Sequence, residues 1–239
     1  DQIPVEQKSH HLFFGSAIHK ALELWYQAKQ NGHTKPVAFL HDVFTKEWLS
    51  FCENQSILFY DGETVDSCLQ KGKDLLTVYH EQIPKDHFKV LATEHEFSFQ
   101  IPGVDVPMIG IMDLIQQDEA GNLIITDFKT AGRSYSKDEI DKNLQLTVYS
   151  LAAKQNGFAD QEILLRFDCL IKTKKPKFEQ YYTIRTDEDH HRAIKKIQEV
   201  WQGIQKKVFV PNDTSWRCSH CSYKNHCDNW FQIGKEKAS

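Results

Sequence analysis

The stretch GIMDLIQQDEAGNLIITDFKT (residues 110–130) contains two apolar, β-type segments separated by the polar residues DEAG. A hairpin that turns there, centred near Ala120, pairs residues whose numbers add up to about 240, so Asp113 is expected opposite Asp127. Lys129 lies two residues beyond Asp127 and shares its face, because side chains alternate along a strand. The stretch therefore predicts two carboxylates and an ammonium group side by side in an otherwise apolar strand pair.

Two carboxylates this close raise each other's pKa unless a cation lies between them. A divalent metal ion with oxygen ligands meets that need, and it activates water, while a lysine beside it orients the water or holds a phosphate oxygen. The alternative is a pair of ordinary strand-end aspartates with Lys129 as their salt-bridge partner. An isolated acid-x-Lys pattern is common, so these residues alone leave both interpretations open.

The remaining chain alternates helical and strand-like patterns. Helices are predicted over residues 11–30, 36–52, 62–82, 136–155 and 187–207. Strands are predicted over residues 89–101, 107–117, 122–130, 162–173 and 177–186. This order predicts an α/β domain whose mixed β-sheet is flanked by helices. We expect the domain to occupy residues 1–210, with a cysteine-rich tail, residues 211–239, packed on it.

Composition limits the function classes. The chain has 239 residues, 40% hydrophobic and 26% charged, with a net charge of −4. No apolar run approaches the roughly 20 residues of a membrane span, and the start has no signal-peptide pattern, so we expect a cytoplasmic, reducing location. The net charge excludes a polycation but leaves room for a local basic groove. Because the first residue is Asp rather than Met, we expect a fragment or a missing N-terminus.

Several motifs occur in a fixed order. A G-x-x-D motif ends at Asp113, a D-x-K-T motif starts at Asp127, and a Q-x3-Y motif runs from Gln145 to Tyr149. Together with GSAIHKALE and VLATEHEF upstream, they resemble the PD-(D/E)XK nuclease superfamily, and more narrowly its RecB-like branch. Met112 stands where many members have proline, which this branch often lacks. The resemblance extends over about residues 11–230 and implies a restriction-endonuclease-like core.

The resemblance also implies roles for individual residues. The ligands of a Mg²⁺ or Mn²⁺ ion would be His19, Asp113, Asp127 and the carbonyl of Phe128. Lys129 would position the attacking water, and Glu94 would be a further catalytic acid, with Glu96 as its close competitor. Gln145 and Tyr149, four residues apart on one helical face, would contact DNA. Without the resemblance, each of these residues has an ordinary explanation as a core-edge or solvated side chain.

The segment CSHCSYKNHCDNW (residues 218–230) contains Cys218, Cys221 and Cys227 with C-x2-C-x5-C spacing. It is similar to the tail of the iron–sulfur members of this branch, the RecB-like CRISPR-associated nucleases and the AddB-type helicase–nucleases. That similarity implies a structural [4Fe–4S] cluster whose fourth cysteine precedes the histidine motif, yet no cysteine precedes His19.

Other ligand sets therefore stay open for the tail. The fourth cluster ligand would come from upstream of residue 1 or from Cys52. Zn²⁺ with His220 or His226 as its fourth ligand is the rival metal, and thiols without any metal are the third possibility.

The function we expect is that of a metal-dependent deoxyribonuclease, an exonuclease on single-stranded ends, in DNA repair, recombination or CRISPR adaptation. The alternatives are an endonuclease, the nuclease domain of a larger helicase–nuclease, and a metal-stapled nucleic-acid-binding module without catalysis. The sequence has no G-x-x-x-x-G-K-[ST] loop, so a helicase would be a partner. The lysines of IKTKKPKF form either a solvated hairpin tip or a track for the phosphates of a single strand. These lysines are Lys172, Lys174, Lys175 and Lys177.

Overall fold

The computed structural model describes residues 7–84, 88–158, 161–215, 218 and 221–231 of the protein. The helices are α1 (His10–Gln30), α2 (Val37–Asn54), α3 (Val65–Gln82), α4 (Lys137–Asp141), α5 (Leu144–Gln155), α6 (Asp187–Gln205) and α7 (Lys224–Trp230). The strands are β1 (Lys8–Ser9), β2 (Ile57–Leu58), β3 (Lys89–Phe99), β4 (Met108–Gln117), β5 (Leu123–Ala131), β6 (Ile163–Ile171) and β7 (Lys177–Thr183). Over these ranges, no helix combines the length and the apolar character needed to cross a lipid bilayer.

The main sheet has five strands in the order β3-β4-β5-β6-β7. Strands β3, β4 and β5 form an antiparallel meander, and β6 and β7 form an antiparallel hairpin. The middle pair, β5 and β6, is parallel, so the chain must cross over between them, and α4 and α5 make that crossover. The sheet is therefore mixed and flanked by helices, which confirms the predicted fold class.

Helices cover both faces of this sheet, and each face has its own apolar core. Helices α1, α2 and α3 bury one core against the sheet. Its fully buried members include Ile18, Leu22, Phe44, Trp48, Leu76, Leu114 and Leu170. Helices α5 and α6 bury the other core. Its fully buried members include Leu123, Ile125, Leu146, Ala152, Leu165 and Phe167. The two layers hold the middle strands rigidly, which is what a site on those strands needs.

The single helix predicted over residues 136–155 is wrong, because the structure breaks it into α4 and α5. Asn143 lies at the break, and its side chain accepts a hydrogen bond from the Leu146 N–H at 3.1 Å as the N-cap of α5. The buried Arg185 donates to the carbonyls of Ile140 and Asn143, at 2.9 and 3.2 Å, so the freed carbonyls are satisfied. A residue 42 positions away therefore stabilises the break, which local helical periodicity does not reveal.

Three short elements were not predicted. Strands β1 and β2 pair in parallel, Lys8 with Ile57 and Ser9 with Leu58, and thereby fix the start of α1. Helix α7 in the cysteine tail has no buried residues. The packing of the tail on the nuclease domain stays a prediction.

Candidate active site

The two aspartates lie where β4 and β5 part. Leu114 pairs with Thr126 and Ile115 with Ile125, so paired residue numbers add up to 240 as the sequence predicts. Asp113 and Asp127 occupy the next position, just beyond the last ladder pair. Both are buried, and the Asp113 Oδ2 accepts a hydrogen bond from the Phe128 N–H at 2.7 Å.

Helix α1 brings His19 to this position. The His19 Nε2–H donates to the Phe128 carbonyl at 2.8 Å, and the Nδ1 lies 3.5 Å from the Asp113 Oδ2. Burial lowers the pKa of His19, but the hydrogen bond and charge of Asp113, with the charge of Asp127, raise it overall. The imidazole thus touches two of the groups predicted to bind the same ion.

Strand β3 supplies Glu94, whose backbone φ of 46° lies in the left-handed region that a non-glycine residue adopts at a cost of about 1 kcal/mol. Its neighbours Thr93 and His95 pair with Leu114 and Met112, so Glu94 faces Asp113 across the strands. Burial, followed by the Asp113 charge, raises the pKa of the Glu94 carboxyl. Glu96, its competitor, is exposed.

His19, Glu94 and Asp113 form a group of possible metal ligands, with one ligating atom from each lying within 4.8 Å of the others. The Phe128 carbonyl is close to them through its contact with His19. One imidazole with carboxylate and carbonyl oxygens is a donor set that suits Mg²⁺ or Mn²⁺. The residues present therefore fit a divalent cation.

The carboxylate of Asp127 takes part in a hydrogen-bond network. Its Oδ2 lies 2.6 Å from the Lys129 Nζ, and its Oδ1 accepts from the Gln145 Nε2 at 2.6 Å and from the Tyr149 hydroxyl at 3.0 Å. Lys129 donates to the Gln145 Oε1 at 2.8 Å, and Gln145 also donates to the Tyr149 oxygen. The residues predicted to contact DNA thus hold the acid and the lysine in place.

Burial raises the pKa of Asp127 to about 6, against the attraction of Lys129, and the nearby charge of Asp113 adds to the rise. The buried carboxylate consequently ionises at a cost even with an ammonium group beside it. Added positive charge at this point, such as a bound divalent cation, would favour the ionised form.

Two aromatic side chains support the network. Phe167 of β6 lies below the Lys129 Nζ, with its ring centroid 5.2 Å away. Phe97 packs edge to face on Tyr149 at 5.9 Å, and it occupies the space over Gly110, where a Cβ would come within 2.5 Å of the ring. The glycine of the G-x-x-D motif therefore leaves room for Phe97. The sequence offered no signal for either phenylalanine, since both resemble ordinary core residues of apolar strands.

The described tail cysteines are free thiols. Desolvation raises the pKa of Cys227, and the nearby charges of Asp228 and Asp213 and then of Cys218 and Cys221 raise it further. His226 is exposed, whereas His220 lies outside the described residues. Cys52 packs against the core under α1, α2 and α3. The identity of a tail metal stays a prediction.

Comparison with known proteins identifies the family of the chain. The sequence profile of the PD-(D/E)XK nuclease superfamily matches residues 2–228. A segment of 68 residues is 40% identical to uncharacterized protein RC0550 of Rickettsia conorii. That segment is 28% of this chain and spans only 8% of the Rickettsia protein.

The fold also resembles that of a solved structure at low sequence identity. A crystal structure from Eubacterium rectale, which carries the name "putative exonuclease", superposes with a TM-score of 0.50 at 14% identity. The match covers 98% of this chain and 91% of that one. The crystal structure of SSO0001 matches with a TM-score of 0.42, also at 14% identity, over 97% and 90% of the two chains. With the family profile matched over nearly its whole length, the chain belongs to the PD-(D/E)XK nuclease superfamily.

Proposed function

We propose that the protein hydrolyses phosphodiester bonds in DNA with a Mg²⁺ or Mn²⁺ ion held by His19, Glu94, Asp113 and the Phe128 carbonyl. The observation that carries this proposal is the convergence of the three side chains within 4.8 Å, in a chain of a nuclease superfamily. Asp127, on the neighbouring strand, is proposed as a further ligand, with its Oδ2 released from Lys129 for that purpose.

The chain's own residues would divide the catalytic work. The bound ion would supply positive charge that activates water and stabilises the charge developing on the phosphate. Lys129 would use its ammonium protons to orient the water or a phosphate oxygen. Gln145 and Tyr149 would fix Asp127 and Lys129, through the hydrogen bonds of 2.6–3.0 Å already described. Any contact of this pair with DNA belongs to the proposal as well.

The proposed substrate is DNA. The protein would act on it as an exonuclease from single-stranded ends, in repair, recombination or CRISPR adaptation. The motif order of the RecB-like branch supports this choice. A helicase or other DNA-processing protein is the proposed partner, and the domain fits equally into a longer helicase–nuclease. The tail is proposed to hold a structural [4Fe–4S] cluster through Cys218, Cys221 and Cys227, supported by their C-x2-C-x5-C spacing.

Cleavage of two single-stranded DNAs tests the function. One is linear and end-labelled, the other is circular, and each is incubated with Mg²⁺, with Mn²⁺ or with EDTA. We expect metal-dependent release of label from the linear DNA and an intact circle, while Asp113→Asn is inactive. Asp105→Asn, the same change at an exposed loop residue, is the matched control and should be fully active.

Cleavage of the circle would identify an endonuclease. DNA binding with no cleavage under any metal would contradict hydrolysis and favour the binding module.

A further inference from the structure

Besides the groove in front of the metal site, the protein has a second cavity, of about 600 Å³, which opens at the start of α1. Its walls come from the first turns of α1, from α3, and from the ends of β5 and β6. Its lining includes His10, Phe14, Lys71, Gly132, Tyr135 and Lys172. A cavity of this size accommodates a nucleotide-sized ligand. None of the proposed metal ligands lines it, so it is separate from the metal site.

The groove in front of the metal site and the second cavity are neighbours. The groove is lined by His19 and Glu94, and His11 lines both this groove and the second cavity. Thr130, the residue after Lys129, also lies on the wall of the second cavity. An extended DNA strand lying over the metal site would reach the second cavity by passing His11.

Lys172 brings an unpaired cation to the cavity. Its Nζ lies over the Phe14 ring, 5.3 Å from the centroid, and its backbone N–H donates to the Ala131 carbonyl at 2.7 Å. Across the described ranges, Lys172 forms no ion pair with a carboxylate. The neighbouring Lys174 and Lys175 are exposed. The hairpin therefore turns one of its lysines inward and leaves the others in solvent.

The one carboxylate in the cavity wall is already engaged. Glu63 forms an ion pair with Lys71, and it also accepts from the Ser67 hydroxyl at 2.7 Å and from the Cys68 thiol at 3.8 Å. Burial lowers the pKa of Lys172 and the charge of Lys71 lowers it further, whereas an anion would stabilise the ammonium form. The cavity thus carries more positive than negative charge.

The N-terminus of α1 adds to the positive potential in the second cavity. The helix has 21 residues and no acidic residue in its first turn, so the partial positive charge of its N-terminus is not neutralised there. Pairing of β1 with β2 and the contact of the His10 ring with the Leu58 carbonyl, at 3.3 Å, hold this end in place. The otherwise unexplained short strands therefore position a helix end beside Lys172.

We propose that this cavity binds a phosphate group of the DNA strand, beyond the scissile phosphate, with Lys172 as its principal contact and the α1 N-terminus as support. The inference rests on the proposed function, since it assigns a substrate subsite to the same groove. Ala131 lies four residues past Asp127 on β5, so the subsite is about 13 Å from the catalytic aspartate along the strand. The half-buried ring of Tyr135 offers a face for the adjoining sugar or base.

Equilibrium binding of a labelled single-stranded oligonucleotide in EDTA tests this proposal without cleavage. We expect Lys172→Gln to weaken binding about tenfold at low salt and to make the slope of log K against log salt shallower by about 0.7, the value for one phosphate on a single strand. Lys172→Arg should retain wild-type binding. Lys175→Gln, which removes an equal charge from the same hairpin, should change affinity less than about twofold because that lysine is exposed and screened.

Stability measurements keep the test interpretable. Lys172→Gln and Lys172→Met should melt at or above the wild-type temperature, because each removes a half-buried cation that has no carboxylate partner. If only one of them folds normally, the binding comparison uses that variant.

Wild-type affinity and salt slope in the folded variant would overturn the proposal. A second contrary outcome is that millimolar inorganic phosphate raises the Tm of the wild type but not of the variant, while the variant keeps wild-type DNA affinity. That result would assign the cavity to a free anion and would also overturn the proposal. A wild-type protein that binds DNA but cleaves none would refute the proposed hydrolysis and leave this test intact.

Discussion

Replacing Asp127 by asparagine should stabilise the metal-free protein at neutral pH. Asp127 is 1% exposed, and burial, with the charge of Asp113 adding to it, raises its pKa to about 6 although Lys129 opposes the rise. An ionised carboxylate at this point is therefore a cost to the fold. Asparagine keeps the shape and retains an oxygen that can accept from Tyr149.

The sign and size follow from the two pKa values. In the unfolded chain an aspartate has a pKa of about 3.9, roughly two units below the folded value, and each unit is worth about 1.4 kcal/mol. Because the folded pKa is the higher one, the penalty is absent well below pH 4 and grows as the pH rises through the folded pKa, reaching about 3 kcal/mol at about pH 7 and above. The folded pKa already includes the attraction of Lys129, so replacing the carboxylate with a neutral amide should gain most of this penalty, up to about 3 kcal/mol, or several degrees in Tm.

Thermal unfolding in EDTA at pH 8 and near pH 4 measures this effect. Asp127→Asn should melt above the wild type at pH 8, and the difference should shrink to less than about 0.5 kcal/mol near pH 4, where the folded carboxyl is protonated and only about half of the unfolded carboxyls are ionised. Asp105→Asn should shift neither curve, since Asp105 is an exposed loop residue. A variant that melts below the wild type at pH 8, or a gain that does not change with pH, would refute the electrostatic reasoning.

Three further predictions concern individual side chains. Lys129→Ala should lower the cleavage rate at least about a hundredfold, because it removes the charge that orients water or phosphate, and it should also lower Tm at neutral pH, because the buried Asp127 carboxylate loses its ammonium partner; full activity would exclude the catalytic role. Tyr149→Phe removes one hydrogen bond from the Asp127 carboxylate, so the acidic limb of the pH–rate profile should move up by about one unit, and an unmoved limb would show that this bond is dispensable. Cys221→Ala should lower Tm and abolish the visible absorbance of an iron–sulfur centre, because structural metals supply folding energy, whereas one zinc and no iron per wild-type chain would identify the other metal.

Local patterning was sufficient for the strands that build the site. The DEAG turn between two apolar segments fixes the β4–β5 register, and with it the position of Asp113 next to Asp127. Alternation places Lys129 on the face of Asp127. These features depend on residues within one hairpin, so short-range rules reach them.

Features that depend on distant residues were not accessible in this way. The break between α4 and α5 needs Arg185, the left-handed backbone at Glu94 depends on its place in the sheet, and the inward turn of Lys172 depends on Phe14. The network on Asp127 joins side chains 18 and 22 positions apart in sequence. The motifs predicted Gln145 and Tyr149 as DNA contacts, but they gave no indication that both side chains donate to the Asp127 carboxylate.

The central claim is that His19, Glu94 and Asp113 hold the ion that makes cleavage possible. The most direct measurement is the rate of single-stranded DNA cleavage as a function of Mn²⁺ concentration, for chelator-stripped wild type and His19→Ala. We predict no cleavage without metal, and a Mn²⁺ requirement at least about tenfold higher in the variant, because one ligand is lost. Cleavage that persists in EDTA, or identical Mn²⁺ curves for the two proteins, would contradict the claim.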